Sequence, residues 1–325
     1  MSNLLTSLLG ATGQGILWGI MALGVYITYK LLDIADLTVD GSFALGGCTC
    51  AILIINGVNP VVATVLAVGA GLLAGAVTGI LHTFFNIPSI LAGILTQLSL
   101  WSINLRILGG KSNLPLLNEE TIISSFVGRT GNTVVETASP IIQKLGLTQS
   151  QASLVVGVVV VAIIIFIMYW FFGTALGCSI RATGANPNMS RAQGINVDFV
   201  KVLGLMLSNG LVALASALYC QYQGFADVNA GRGAIVIGLA AVIIGEVLFS
   251  RIFRNFAMRL LGVSLGAVVY YLVIQVVLNL GLNTNDLKLI SAFVVAIFLA
   301  VPYWKGKYFR GAAKSAAKTD AKEAK

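Results

Sequence analysis

The chain has 325 residues, 57% of them hydrophobic and 10% charged, with a mean hydropathy of +0.92. Soluble globular proteins carry about a quarter charged residues, so this composition excludes that class and defines an integral membrane protein. The formal net charge of +8 does not point to nucleic acid, because seven Lys and Arg residues fall between Lys305 and Lys325, against Asp320 and Glu323, as a cytoplasmic topology signal.

Hydropathy marks about nine segments, at 13–30, 42–57, 60–82, 87–107, 152–173, 201–222, 233–249, 256–280 and 287–303. The expected fold class is all-α: a polytopic membrane protein with about nine transmembrane helices, some of them broken. Residues 1–310 form the transmembrane domain and 311–325 a disordered basic tail. The 36 glycines are spread through the apolar segments, which favours close helix contacts and local breaks.

The first segment follows MSNLLTSLLGATGQG, which lacks Lys, Arg and a clear cleavage site, so it reads as a retained span. Asp36, Thr38 and Asp40 come next, before Gly41. A carboxylate at the bilayer centre costs about 2.5–3.5 kcal/mol on insertion scales, so such groups usually face a cavity. The candidates for lining a translocation path are Asp36, Thr38, Asp40, Gln97, Trp101, Asp227, Asn229 and Glu246. Asn104, Asn209 and Gln221 lie at similar depth, and Trp101 can stack on a ring. Capping the helix after each break is the simpler role for Asp36 and Asp227.

Other residues carry less. Cys48 and Cys50 have no nearby His or second pair and read as small packing residues rather than metal ligands. The single histidine, His82, lies at a segment end and reads as interfacial. Gly109-Gly110-Lys111-Ser112 falls short of a phosphate-binding loop, since Leu105 stands where the first glycine belongs and no buried strand precedes it. The chain therefore reads as no enzyme, with no cofactor, no metal and no phosphate-binding loop of its own.

The most distinctive stretch is IRATGANPNMSRAQGINV, residues 180–197, a polar insert between apolar segments. Asn186 suits an N-cap, Pro187 the first helical position and Gly194 the residue after the C-cap. The short helix this predicts, over 187–193, is about 10 Å long and too short to be stable alone. A partner protein docked on the cytoplasmic side is one reading, and an ordinary loop or interfacial helix is the other.

Orientation follows from charge. Arg181, Arg191 and Lys201 flank this insert, Arg251, Arg254 and Arg259 flank another loop, and the tail is basic, whereas 108–150 balances three basic against three acidic side chains. The basic regions are assigned to the cytoplasm, which leaves 108–150 and the N-terminus outside. A shift of 191 positions pairs Ala22 with Ala213, Asp36 with Asp227 and Gly47 with Gly238. Both acids follow an apolar segment and precede a glycine-containing break, Asp40-Gly41 in one case and Gly231-Arg232-Gly233 in the other, and the two segments run in opposite directions. This is the pattern of two inverted repeats.

Residues 180–197 closely resemble the cytoplasmic loop of permease subunits of the branched-chain amino acid and ribose type of ABC importer. Ala35-Asp36-Leu37-Thr38-Val39-Asp40-Gly41 is similar to the Asp-Leu-Ser-Val-Gly stretch of the sugar-type members. The resemblance spans about residues 13–303 and is narrower to permeases linked to tryptophan-like solutes. It implies a bacterial cytoplasmic-membrane permease that pairs with a second permease copy. It also implies binding of two ATP-binding cassette subunits through the helix near 187–193, and receipt of solute from an extracytoplasmic binding protein. Arg181, Gly184, Asn186, Pro187, Arg191 and Gly194 carry over as coupling positions. Asp40 before Gly41 and Glu246 after Gly245 depart from the pattern, so the family's substrate chemistry does not transfer.

The expected cargo is a small polar solute: an amino acid, aromatic by the narrower resemblance, with sugar or nucleoside as alternatives. The competing class is an ion-coupled secondary transporter in which Asp36, Asp227 or Glu246 binds a proton or Na⁺. A docking helix separates the two, since a secondary transporter needs none.

Overall fold

The computed structural model describes residues 2–116, 119–127, 129–130, 133–134, 149–249, 255–279, 289, 291–298 and 300. The tail expected at 311–325, and Arg251 and Arg254, lie outside the described residues. Helix α1 (Ser2–Tyr26) runs into a π-helical turn, Ile27–Leu31, followed by α2 (Thr38–Ile55), α3 (Pro60–Thr83) and α4 (Ser89–Ile107). Strand β1 (Asn113–Pro115), helix α5 (Ile122–Val127) and a small hairpin of β2 (Arg129–Thr130) and β3 (Thr133–Val134) come next. The second half holds α6 (Gln149–Phe172), α7 (Ala175–Ala185), α8 (Pro187–Ala192), α9 (Val197–Gln223), β4 (Phe225–Asp227), α10 (Ala234–Phe249) and α11 (Phe256–Asn279). Residues 291–298 are helical as well.

Among the described residues seven helices are long and apolar enough to cross a membrane, and α10 is a shorter apolar helix. The protein is a multi-pass all-α membrane protein. With 16 residues α10 is about 24 Å long, short of the roughly 30 Å hydrocarbon core.

Local chemistry sets many helix ends. The Asn59 side chain accepts from the Val61 N–H, with Pro60 in the first turn of α3, and Asn196 accepts from the Phe199 N–H at the start of α9. Gly224, at φ +75°, ends α9 in the left-handed conformation that glycine adopts without strain.

Packing is organised around α1 and α9. Helix α9 packs on α3, α2 and α1, while α1 packs on α11, α10 and α9. Small residues let the backbones close in. Gly71, Gly75 and Gly79, one per turn of α3, lie against Asn209, Leu205 and Val202 of α9; Gly46 of α2 meets Ala213, and Gly238 of α10 meets Met21 and Val25 of α1. An aromatic group ties four helices together: Trp18 (α1) stacks on Phe43 (α2) at 4.7 Å and meets Tyr219 (α9) at 5.6 Å and Tyr271 (α11) at 5.7 Å.

The connections sort onto two faces. On one, Gly184 packs against Leu31 and Lys201 approaches His82 at 3.5 Å. On the other, β1 pairs antiparallel with β4, and Ile122 N donates to Gln221 Oε1 at 2.8 Å.

Candidate translocation path and docking face

Asp36 is 3% exposed, in the break between the π-helical turn and α2. Its Oδ1 accepts from the Thr38 N–H at 2.9 Å, capping α2, and its Oδ2 accepts from Asn209 Nδ2 at 2.8 Å. Asn209 Oδ1 in turn accepts from Ser42 Oγ, and the hydroxyls of Thr38, Thr78 and Thr96 form a chain at 2.8 and 3.0 Å. This buried network joins α2, α3, α4 and α9. It holds Asp36 and Thr38, 3% and 0% exposed, in packed protein, and neither lines the cavity described below.

Asp40, one turn further along α2, reaches the opposite half of the chain. Its Oδ2 accepts from the Gly233 N–H at 3.0 Å and its Oδ1 from the Ile235 N–H at 2.8 Å, so a carboxylate of α2 caps the N-terminus of α10. Gly231 lies so close to the Asp40 carbonyl that any side chain there would overlap it. Phe43, one turn beyond Asp40, stacks on Trp18 near the middle of the span Ser7–Leu31, so the starts of α2 and α10 meet at mid-depth. The reason α10 is short is now visible. The chain from Val228 to Gly233 descends into the bundle before the helix begins: Val228 packs against Cys48 and Leu108, and Gly231 against Asp40.

A cavity of about 320 Å³ opens at this junction, within the size range of small-molecule sites. Asp40, Gly41 and Ala44 line it from α2; Gln97, Leu98, Trp101 and Asn104 from α4; Val228 and Arg232 from the descending segment. Of the residues expected on a path, Asp40, Gln97 and Trp101 come together here. Asp227 and Asn229 sit in the turn above it, where Asp227 Oδ1 accepts from the Asn229 N–H at 2.9 Å. Glu246 lies near the far end of α10 and pairs with Lys30 at 3.1 Å. Sequence reasoning missed Arg232, treating Gly231-Arg232-Gly233 only as a break, although a cation between two apolar segments was the signal.

On the face that carries Lys30 and His82, the polar insert forms two helices rather than one. Helix α7, capped by Thr174 Oγ1 accepting from the Gly177 N–H at 3.4 Å, precedes α8. Asn186 Oδ1 accepts from the Met189 N–H at 3.1 Å, Pro187 opens α8, and Gly194 has φ +81°. Arg191 pairs with Asp198 at 3.4 Å, and the Arg181 guanidinium lies 5.6 Å from the Phe256 ring centroid. A β-carbon on Gly184 would overlap the Leu31 carbonyl, so α7 sits directly on the turn that precedes Asp36. A groove of about 510 Å³ beside it is lined by Lys30, Asp33, Arg181 and Arg259, among others.

A multi-pass helical bundle with two helices starting head to head beside a largely apolar mid-depth cavity that carries a few polar side chains has the architecture of a membrane transport protein. Within that class, the chain belongs to the ABC-type permease family described as branched-chain amino acid transport system / permease component, which matches residues 7–302. The tyrosine transport system permease protein of Clostridioides difficile (strain R20291) is 39% identical over 91% of each chain. An uncharacterized protein of Rickettsia prowazekii (strain Madrid E), RP368, is 30% identical over 90% of this chain and 96% of its own. The ribose import permease protein RbsC of Escherichia coli (strain K12) is 25% identical over 87% of this chain and 81% of its own.

Proposed function

We propose that the protein is the permease subunit of an ABC importer that carries an amino acid, aromatic in kind, across the bacterial cytoplasmic membrane. Two ATP-binding cassette subunits dock on α8, an extracytoplasmic binding protein delivers the solute, and a second permease copy completes the membrane unit. The insert face is cytoplasmic, in keeping with Arg181, Arg191, Lys201 and Arg259 on that side, and the N-terminus is outside.

One observation carries the coupling role. The capped helix α8 continues from α7, and α7 rests through Gly184 on the turn just before the Asp36 break. A push on α8 is passed by stiff elements to Leu31, then through the Asp36–Asn209–Ser42 hydrogen bonds to α2 and α9. Helix α2 bears Asp40 on the cavity. Movement of α2 against α10 would break the Asp40 cap and change access to the cavity from one face to the other.

Two features support inverted repeats. Exchanging α1 with α9, α2 with α10 and α3 with α11 maps the main helix contacts onto one another. The contacts of Gly47 with Ser216 and of Gly238 with Val25 are counterparts under that exchange and under the 191-position shift. The amino-acid assignment leans on the tyrosine transport relative, while the ribose permease keeps sugar as the alternative cargo.

The test is co-expression with the reading frames that neighbour its gene. The solubilised permease is expected to retain ATPase subunits from among their products, and Arg191→Glu combined with Gly194→Pro is expected to separate ATP hydrolysis from uptake. Failure to co-purify any ATPase, or unchanged uptake in the double variant, would remove the docking role.

A further inference from the structure

The mid-depth cavity holds one cation that no anion in its wall neutralises directly. Arg232 is exposed on that wall, and the ion pairs among the described residues, Lys30–Glu246 and Arg191–Asp198, do not involve it. Asp40 shares the cavity, but each of its oxygens already accepts a backbone N–H of α10. Asn104, on the same wall, is 0% exposed, and neither its Oδ1 nor its Nδ2 has a hydrogen-bond partner among the described residues. An unpaired buried polar group costs about 1–3 kcal/mol, so such an amide calls for a polar group arriving from the cavity. Gln97, Trp101 and Asn104 follow one another at helical spacing, which presents an amide, a ring and a second amide along one face of α4.

We infer that this cavity recognises the carboxylate of the transported solute. Arg232 pairs with the carboxylate, Asn104 takes a second polar group, and Trp101 packs on the side chain. A guanidinium suits a planar carboxylate because it can offer two parallel N–H donors. A neutral sugar or nucleoside presents no such anion, so the inference names the substrate class of the importer proposed above and rests on that reading. A cation at mid-depth is expensive to keep, which fits a residue retained for its ligand. The site must also release what it takes, so its affinity is expected to be weak.

The experiment uses the full-length permease alone in nanodiscs. Leu98→Cys, in a Cys178→Ser background, places a thiol on the cavity wall, and an uncharged maleimide reports access to it. L-phenylalanine is expected to slow labelling and L-phenylalaninamide, which lacks the carboxylate, to leave it unchanged. Arg232→Gln is expected to keep the labelling rate without solute and to weaken protection by about tenfold or more, as loss of a charge-assisted hydrogen bond should. Arg232→Lys should keep part of the protection. Equal protection by acid and amide, full protection in Arg232→Gln, or no protection by the acid would each overturn the inference. If Arg232→Gln alters labelling without solute, the acid–amide comparison in the unsubstituted and Arg232→Lys proteins decides. No ATPase or binding protein is present, so this result and the co-purification result can fail independently.

Discussion

Asp36 and Asp227 occupy matching places in the sequence, yet the structure gives them different surroundings, and replacing each by alanine measures the difference. Asp36→Ala strands the Thr38 N–H, which sits at the start of α2, and one N–H of Asn209, whose other N–H donates to the Leu205 carbonyl at 2.9 Å. Each buried donor left without a partner costs about 1–3 kcal/mol, so the pair is expected to cost about 2–6 kcal/mol, with up to about 2 more for the charge lost at the helix N-terminus. Asp36→Asn keeps one acceptor and turns an N–H₂ towards the other donor, for about half the loss. Asp227 accepts within an exposed two-residue turn, so Asp227→Ala is expected to cost about 0.5 kcal/mol. Denaturation of the purified protein in nanodiscs, followed by tryptophan fluorescence, should rank them native, Asp227→Ala, Asp36→Asn and Asp36→Ala in falling stability. If Asp36→Ala proves as stable as Asp227→Ala, the buried network is not what fixes the Asp36 break.

Gly75→Val places a branched side chain against the Leu205 carbonyl and Met206, so α3 and α9 must separate; a loss of about 1–3 kcal/mol or more is expected in the same denaturation assay, with Gly69→Ala, where nothing lies within 4 Å, as the neutral control. The Lys30–Glu246 pair is partly exposed, so a double-mutant cycle should give about 1 kcal/mol or less, and uptake by Glu246→Gln should match the native protein; abolished uptake would revive the ion-coupled mechanism. Of Cys48, Cys50, Cys178 and Cys220, only Cys178 is exposed, so mass spectrometry after brief maleimide treatment of the folded protein should find the label there and not on the three buried thiols.

The amino-acid sequence alone determined whatever depends on residues within a turn or two of each other. Mean hydropathy settled the membrane class, apolar run lengths placed most of the described spans to within a few residues although α1 starts at Ser2 rather than near 13, and Asn186, Pro187 and Gly194 outlined α8, because capping is a local hydrogen-bonding problem. Helix α7 escaped notice although Thr174 marked its start, since its weakly apolar pattern merged with the polar insert. Tertiary structure decided where the charges act. Asp40 caps a helix that begins almost two hundred residues later, Glu246 finds Lys30 from the other half of the chain, and Asp36 is held by Asn209. Arg232 reaches the cavity only because residues 228–233 descend into the bundle. Such pairings are set by how closely glycine-faced helices approach, and a period or a cap read along one segment carries no information about which distant segment will lie against it.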